Sequence, residues 1–460
     1  MRVWWARCLV AALAVVAAAS GTAAAGPARA GQDTEQGVEF RSGEVTLHGT
    51  VTAPAGTARR RRPGIVLVHG SGPETRAKYR VEAQAMARSG FVVLSYDKRT
   101  AGYSLTQRSY PQLADDALAG VRVLRGRADV DPRRVGLWGF SEGGWVVPLA
   151  AARSAQVSYV VLVGASGVSP ARQSAWSLEN RLWHEGVAGS LLRTVPVTGT
   201  RFLTDAGLLP EADYDPLPAL RRVHQPVLAL WGDDQQSPPA ESAVAIGKAL
   251  RDGGNTDVTL RFFPHADHKL RTSSDGFQRG EHVVPGYVET MASWVAGRGH
   301  RTNDALPHQA RRSHALVPLP HHEGPAAQAA AFALMVVSFA AHLLKEWVRR
   351  LRRRPCAPGA GRAPRWLAAT GLATLLGFLG YLAFVTMTLT PGPVLGHRPV
   401  FWLVLQLLAA GTVLAAVATV VSWWRVRASV PGRTGARLGL LVLASAVFVP
   451  WALFWGLAAL

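Results

Sequence analysis

Val135-Gly136-Leu137-Trp138-Gly139-Phe140-Ser141-Glu142-Gly143-Gly144 is an apolar run that ends in glycines set around one serine. A buried strand followed at once by Gly-x-Ser-x-Gly makes a sharp strand-to-helix elbow, which holds its serine in a strained backbone conformation with the hydroxyl exposed. Chains pass closely on either side of such a turn, so the positions two before and two after must be small. Gly139 and Gly143 occupy them. Ser141 is therefore the candidate nucleophile. A glycine-rich turn opening an ordinary helix is the plainer alternative for five residues taken alone.

Similar runs recur on both sides of the elbow. Residues 64–68, 91–94, 135–138, 159–163, 227–231 and 258–263 are short, continuous and rich in β-branched residues. Runs without polar alternation suit strands covered on both faces, as in a parallel sheet. Residues 81–89, 113–125, 241–250 and 287–296 carry helical periodicity, and residues 38–41 with 45–51 read as an opening antiparallel hairpin. The expected fold for residues 32–297 is α/β, a mostly parallel central sheet with helices on both faces.

The flanking sequence speaks to the compartment. Arg2 and Arg7, an apolar stretch over residues 8–19 and the small residues ending in Ala28-Arg29-Ala30 form a secretory signal pattern over residues 1–30, with cleavage after Ala30 or Ala25. The apolar stretch is shorter than the ~20 residues a spanning helix needs. Cys8 and Cys356 are the two cysteines, so residues 32–297 contain none and must rely on an ordinary core in place of disulfides. Residues 298–325, rich in His, Arg and Pro, read as a linker. His308, His314, His321 and His322 within it read as solvated side chains and not as metal ligands.

Residues 326–460 contain four apolar stretches, 326–344, 367–390, 399–424 and 438–460, each long enough to cross a bilayer and expected to be transmembrane helices. The net charge of +20 concentrates in this region, which holds 13 Lys or Arg against the single acid Glu346. Basic residues fill the segments between the first and second stretches and between the third and fourth. The positive-inside rule then puts those segments in the cytoplasm and residues 32–297 outside it, on a multi-pass cell-membrane protein. About +5 remains on the exported part, with no basic-aromatic stripe, which argues against nucleic-acid binding. No Asp, Glu, Lys or Arg falls inside the stretches, so they read as an anchor and not as an ion path.

Three further motifs join the elbow. Val68-His69-Gly70-Ser71-Gly72-Pro73 ends an early strand, Leu228-Ala229-Leu230-Trp231-Gly232-Asp233-Asp234-Gln235 ends a late one, and Phe262-Phe263-Pro264-His265-Ala266-Asp267-His268 ends the last. With Ser141, this order of elements and motifs resembles the α/β-hydrolase superfamily, in particular its serine esterase and prolyl oligopeptidase-like branch, over residues 37–297. The resemblance implies a catalytic triad of Ser141, Asp234 and His268. The acid of this family often stands three residues after the glycine, which here falls on Gln235, so Asp233 and Asp234 both remain, with Pro238-Pro239 favouring Asp234. His265 is the rival to His268. The resemblance also implies an oxyanion hole made by the backbone N–H groups of Ser71 and Glu142, on a turn carrying His69 and Gly70, with His69 structural. It implies a helical lid in residues 168–222, where Trp176, Leu182, Trp183, Leu191, Leu192, Phe202 and Leu203 give apolar faces; core packing of an added helical subdomain is the alternative for the same residues. Tyr96-Asp97-Lys98-Arg99-Thr100-Ala101-Gly102-Tyr103-Ser104 is similar to a structural turn near the site, with Thr100 where the family has a glycine.

The activity so implied is a serine hydrolase that cleaves ester or related acyl bonds outside the cytoplasm through an acyl-enzyme. Its partners are a small-molecule acyl substrate and the lipid bilayer, with no cofactor. A serine peptidase or acyltransferase with the same triad, and a non-catalytic membrane receptor or assembly protein, are the alternatives. Haloalkane and epoxide chemistry in this family relies on an aspartate at the elbow and is disfavoured. Neither a His-Glu-x-x-His motif nor a cysteine cluster asks for a metal.

Overall fold

The computed structural model describes residues 33–56, 60–104, 106–233, 237–297, 299, 302–352, 362–426 and 432–459. The expected signal segment 1–30, Asp234, Gln235 and Cys356 lie outside the described residues. The described residues fall into two compact units, one within Ala24–Asn180 and Gly207–Leu316, the other within Arg181–Ala206 and Val317–Leu460.

The first unit is built on an eight-stranded sheet. Its strands are β1 (Thr34–Ser42), β2 (Val45–Ala53), β3 (Arg62–Val68), β4 (Val92–Tyr96), β5 (Val130–Phe140), β6 (Val160–Val163), β7 (Val227–Gly232) and β8 (Val258–Phe263), in the spatial order β1-β2-β4-β3-β5-β6-β7-β8. The opening hairpin pairs antiparallel, with Ser42 opposite Val45, and β2 lies antiparallel to β4. All other neighbours are parallel.

Why these runs lack polar alternation is visible in where their residues go. Successive side chains of a strand point to opposite faces. Ile65 and Leu67, Val161 and Val163, and Leu228 and Leu230 join one buried cluster, while Val66 and Val68, Val160 and Leu162, and Val227 and Ala229 join another. The first cluster is closed by α1 (Arg80–Arg88) and α9 (Tyr287–Val295), through Met86, Val288 and Met291. The second is closed by α2 (Tyr110–Arg125), α3 (Gly143–Arg153) and α8 (Pro239–Asp252), through Val121, Val147 and Ile246. Burying both faces of a strand of four to seven such residues is worth about 1.5–3 kcal/mol per side chain, which explains why apolar content and not periodicity marks these strands.

Residues 302–316, read as linker, lie along this unit and are held by polar contacts. Asp304 N donates to Leu260 O (3.0 Å), and the side chain of Asn303 accepts from Leu260 N (2.9 Å), so this segment covers the open edge of β8. Gln309 Oε1 accepts from the N–H groups of Ala240 and Glu241 at the start of α8, and Ser313 N donates to Glu241 (2.9 Å). Such contacts leave no apolar period to read.

The insertion after β6 is helical: α4 (Pro170–His184), α5 (Ser190–Arg193), α6 (Thr200–Asp205) and α7 (Leu217–Leu220). It does not form one body. Residues up to Asn180 and from Gly207 onwards belong to the sheet unit, whereas Arg181–Ala206 belongs to the second unit. Trp176, Leu182, Leu191 and Leu192 are buried, and Trp183 and Leu203 are exposed. Core packing thus accounts for the first four.

The second unit contains four long helices, α10 (Pro325–Leu351), α11 (Arg362–Thr388), α12 (Val400–Val426) and α13 (Gly432–Phe454), all long and apolar enough to cross a membrane. Gln328, near the start of the first of them, accepts a hydrogen bond from Trp455 Nε1 (3.1 Å). Arg181–Ala206 packs against the turn between α11 and α12 and against the end of α13. Ala188 N donates to His397 O (2.8 Å), Trp402 Nε1 donates to Ser190 Oγ (3.1 Å), and the Phe202 and Trp455 rings meet edge to face at 5.5 Å.

Candidate active site

The chain leaves β3 towards β4 on one side and reaches β5 on the other. Where strand order reverses in this way, the loops at the carboxyl ends diverge and leave a crevice. His69–Gly72 follows β3 and Ser141 follows β5, so the two motifs are brought to this point by topology.

Ser141 has φ = 51°, in the left-handed region. For a residue with a Cβ this costs roughly 1–2 kcal/mol. The conformation is held by Ser141 N donating to Val163 O at the end of β6 (3.0 Å) and Gly144 N donating to Ser141 O (2.8 Å). The glycines meet a steric demand: a Cβ on Gly139 would lie 2.4 Å from the carbonyl oxygen of Gly143, and one on Gly143 would lie 2.5 Å from that of Val68. The helix that follows, α3, starts without a side-chain cap.

The loop after β8 carries both candidate histidines, and the structure treats them differently. His268 is 3 % exposed. Its ring centroid lies 5.0 Å from that of Phe140, the residue before Ser141, and a Cβ on Gly164 would lie 2.7 Å from its Nδ1. The imidazole therefore sits at the ends of β5 and β6, where Ser141 is anchored. Asp267 beside it clamps the loop, accepting from the N–H groups of Lys269 (2.8 Å) and Arg271 (2.9 Å) and from Arg279. His265 is exposed, has φ = 56°, and donates its backbone N–H to the carboxylate of Asp233. Asp233 and His265 thus meet at the loop surface through a side chain and a backbone amide.

His69 is buried, its Nε2 donating to the Tyr96 carbonyl, with its ring edge-on to Tyr79 and Tyr96. Burial, aided by the nearby Lys98 charge, lowers its pKa to about 3. It is a neutral packing ring at ordinary pH. Gly70 N donates to the Tyr79 hydroxyl (2.9 Å).

Glu142 is fully buried. Its carboxylate accepts from Lys98 Nζ (2.8 Å), the Tyr103 hydroxyl (3.0 Å), Arg108 and Ser71 Oγ (3.4 Å). Burial pulls the Lys98 pKa down, opposed by the Glu142 charge. Sequence reading placed the Tyr96–Ser104 turn near the site but missed Lys98, Tyr103 and Arg108 as partners of Glu142. The available signal was Glu142 itself, since an acid in a buried elbow needs a cation to offset its desolvation. Among the described residues no group of three or more His, Cys, Asp or Glu is placed to hold a metal ion.

Residues 77–296 match the prolyl oligopeptidase family model. Esterase EstD of Thermotoga maritima is 26% identical over 291 residues, covering 56% of this chain and 68% of that protein. Among solved structures, an acylaminoacyl peptidase of Pyrococcus horikoshii is 22% identical with a TM-score of 0.36, covering 50% of this chain and 37% of its own. A dienelactone hydrolase of Anabaena variabilis is 19% identical with a TM-score of 0.35, covering 58% of this chain and 96% of its own. This chain thus spans well under half the length of the acylaminoacyl peptidase. Residues 77–296 are thus similar to the prolyl oligopeptidase family, and they lie on a mostly parallel sheet with helices on both faces.

Proposed function

We propose that the protein is a membrane-anchored, extracytoplasmic serine hydrolase that cleaves esters or related acyl bonds of a small-molecule substrate. Ser141 attacks the acyl carbonyl, His268 takes the hydroxyl proton and returns it to the leaving group, and Asp234 orients the imidazole and steadies its positive charge. The backbone N–H groups of Ser71 and Glu142 receive the oxyanion. Water, deprotonated by the same histidine, then releases the acyl-enzyme.

The observation that carries this reading is the strained Ser141, at φ = 51°, with the buried His268 ring packed on the residue before it. A binding module has no use for that strain. Covalent labelling of the full chain by a fluorophosphonate tests it. Labelling that is lost in Ser141→Ala is expected, and an unlabelled folded wild type overturns the reading.

A peptidase with the same triad is the second reading, favoured by the prolyl oligopeptidase family match. Turnover of p-nitrophenyl acyl esters against aminoacyl anilides separates the two. Anchoring rests on the four long apolar helices, and sidedness on the basic segments between them. A reporter fused at Pro355 is expected in the cytoplasm, and a signal from outside overturns the topology.

A further inference from the structure

We propose that Lys98 is a positioning residue for the oxyanion hole, orienting and polarising the peptide that carries the Ser71 N–H while holding Glu142, the residue that carries the other N–H. This rests on the hydrolase reading above.

The argument begins with the peptide unit. The C=O of Gly70 and the N–H of Ser71 belong to one planar trans peptide, so they point in opposite directions, and fixing the oxygen fixes the hydrogen. Lys98 Nζ donates to that Gly70 oxygen. A cation on the carbonyl also draws electron density from the amide, which strengthens the N–H as a donor, as in any chain of polarised hydrogen bonds.

The same ammonium donates to Glu142 Oε1 (2.8 Å) and to the Tyr103 hydroxyl (3.1 Å). The Tyr103 hydroxyl in turn donates to Glu142 Oε1 (3.0 Å) and accepts from Gly72 N (2.9 Å). The peptides on either side of Ser71 are therefore both tied to the carboxylate of the residue that follows the nucleophile. Lys98 and Glu142 have side chains 3% and 0% exposed, so water does not compete for these bonds. Rigid, water-excluded donors are what transition-state stabilisation requires, because they need no reorganisation as charge develops.

Arg108 supplies a built-in comparison. It pairs with Glu142 Oε2, the carboxylate oxygen opposite the one that Lys98 holds. Removing either cation leaves Glu142 paired with the other, so neither variant strands a buried charge. Of these two cations, Lys98 is the one that hydrogen-bonds the donor-bearing peptide.

The test uses the full chain with an activated ester and a boronic acid that mimics the tetrahedral intermediate. Lys98→Met is expected to lower kcat by about 10- to 100-fold with KM within about threefold, and to weaken the boronic acid in parallel. Arg108→Met is expected to lose less than about fivefold in kcat. Equal losses in the two variants, or a folded Lys98→Met with wild-type kcat, overturn the proposal. So does a loss of kcat with unchanged boronic-acid affinity. Should Lys98→Met not fold, Tyr103→Phe carries the test, since it deletes only the hydroxyl between Gly72 and Glu142: reduced kcat at unchanged KM supports the proposal and unchanged kcat overturns it. Failure of the parent reading is separate, because it shows as a wild type that fluorophosphonate does not label.

Discussion

The carboxylate of Asp233 accepts a hydrogen bond from the backbone N–H of His265, a residue held at φ = 56°. Asp233 therefore fastens the start of the loop that carries His268, two residues after β8, and its role in that bond is local. We expect Asp233→Asn to change kcat by less than about fivefold and to cost about 1 kcal/mol of stability, roughly the difference between a charge-assisted and a neutral hydrogen bond, since the amide oxygen can still accept. Asp234→Asn is expected to lower kcat by about 10⁴-fold, since an imidazole without its acid is held in the wrong tautomer. Steady-state kinetics and thermal unfolding on the two variants decide between them. The reverse pattern reassigns the acid to Asp233.

Ser141 pays for its position in backbone strain. Glycine has no Cβ and enters the left-handed region freely, so Ser141→Gly is expected to abolish turnover and to raise stability by about 1 kcal/mol, visible as an increase in Tm of a few degrees. Ser141→Ala abolishes turnover without that gain, because alanine keeps the Cβ. A Ser141→Gly variant less stable than Ser141→Ala contradicts a strained elbow.

The sheet was legible because its central strands, such as β4, β6 and β7, are buried on both faces, which turns burial into a continuous apolar run such as Ile65-Val66-Leu67-Val68. The elbow was legible because its steric demand falls on glycines at fixed offsets from Ser141. The partners of Glu142 were not, since Lys98 and Arg108 lie 44 and 34 residues upstream and no periodicity links them. Residues 302–316 were read as linker for a similar reason: Asn303, Asp304, Gln309 and Ser313 hold them by polar contacts, which leave no pattern along the chain. The division of the insertion at Asn180 and Ala206 was also hidden, because apolar residues such as Leu191 and Phe202 do not say which body they pack in.

His69 makes acid sensitivity readable at one residue. Burial keeps it neutral in the folded state down to pH about 3, against 6.5 when unfolded. Below pH 6.5 the unfolded chain takes up a proton that the folded chain refuses, so stability falls as pH falls, by up to about 1.4 kcal/mol per pH unit. His69→Gln lacks this ionisation. Its deficit relative to wild type is expected to narrow by about 2–3 kcal/mol between pH 7 and pH 4.5, measured by urea unfolding at both. Parallel pH profiles for the two proteins contradict a His69 buried in the neutral form.

Ser190 sits where the insertion meets the helical unit. Its hydroxyl accepts from Trp402 Nε1 (3.1 Å) and Gln406 Nε2 (3.4 Å). Gln406 also donates to Ala459 O and keeps that bond when the hydroxyl is removed, whereas the buried Trp402 N–H loses its acceptor. Ser190→Ala is thus expected to cost about 1–3 kcal/mol locally, and Ser190→Thr, which keeps a hydroxyl, to cost less. The readout is amide hydrogen exchange over residues 186–206, which reports local opening directly. Faster exchange there in Ser190→Ala, restored in Ser190→Thr, is the outcome of a segment mounted on the helices. A lid that moved free of them would have to break the Ser190–Trp402, Ala188–His397 and Phe202–Trp455 contacts together, and would exchange rapidly already in the wild type. Rapid wild-type exchange, unchanged in both variants, therefore contradicts the mounted arrangement.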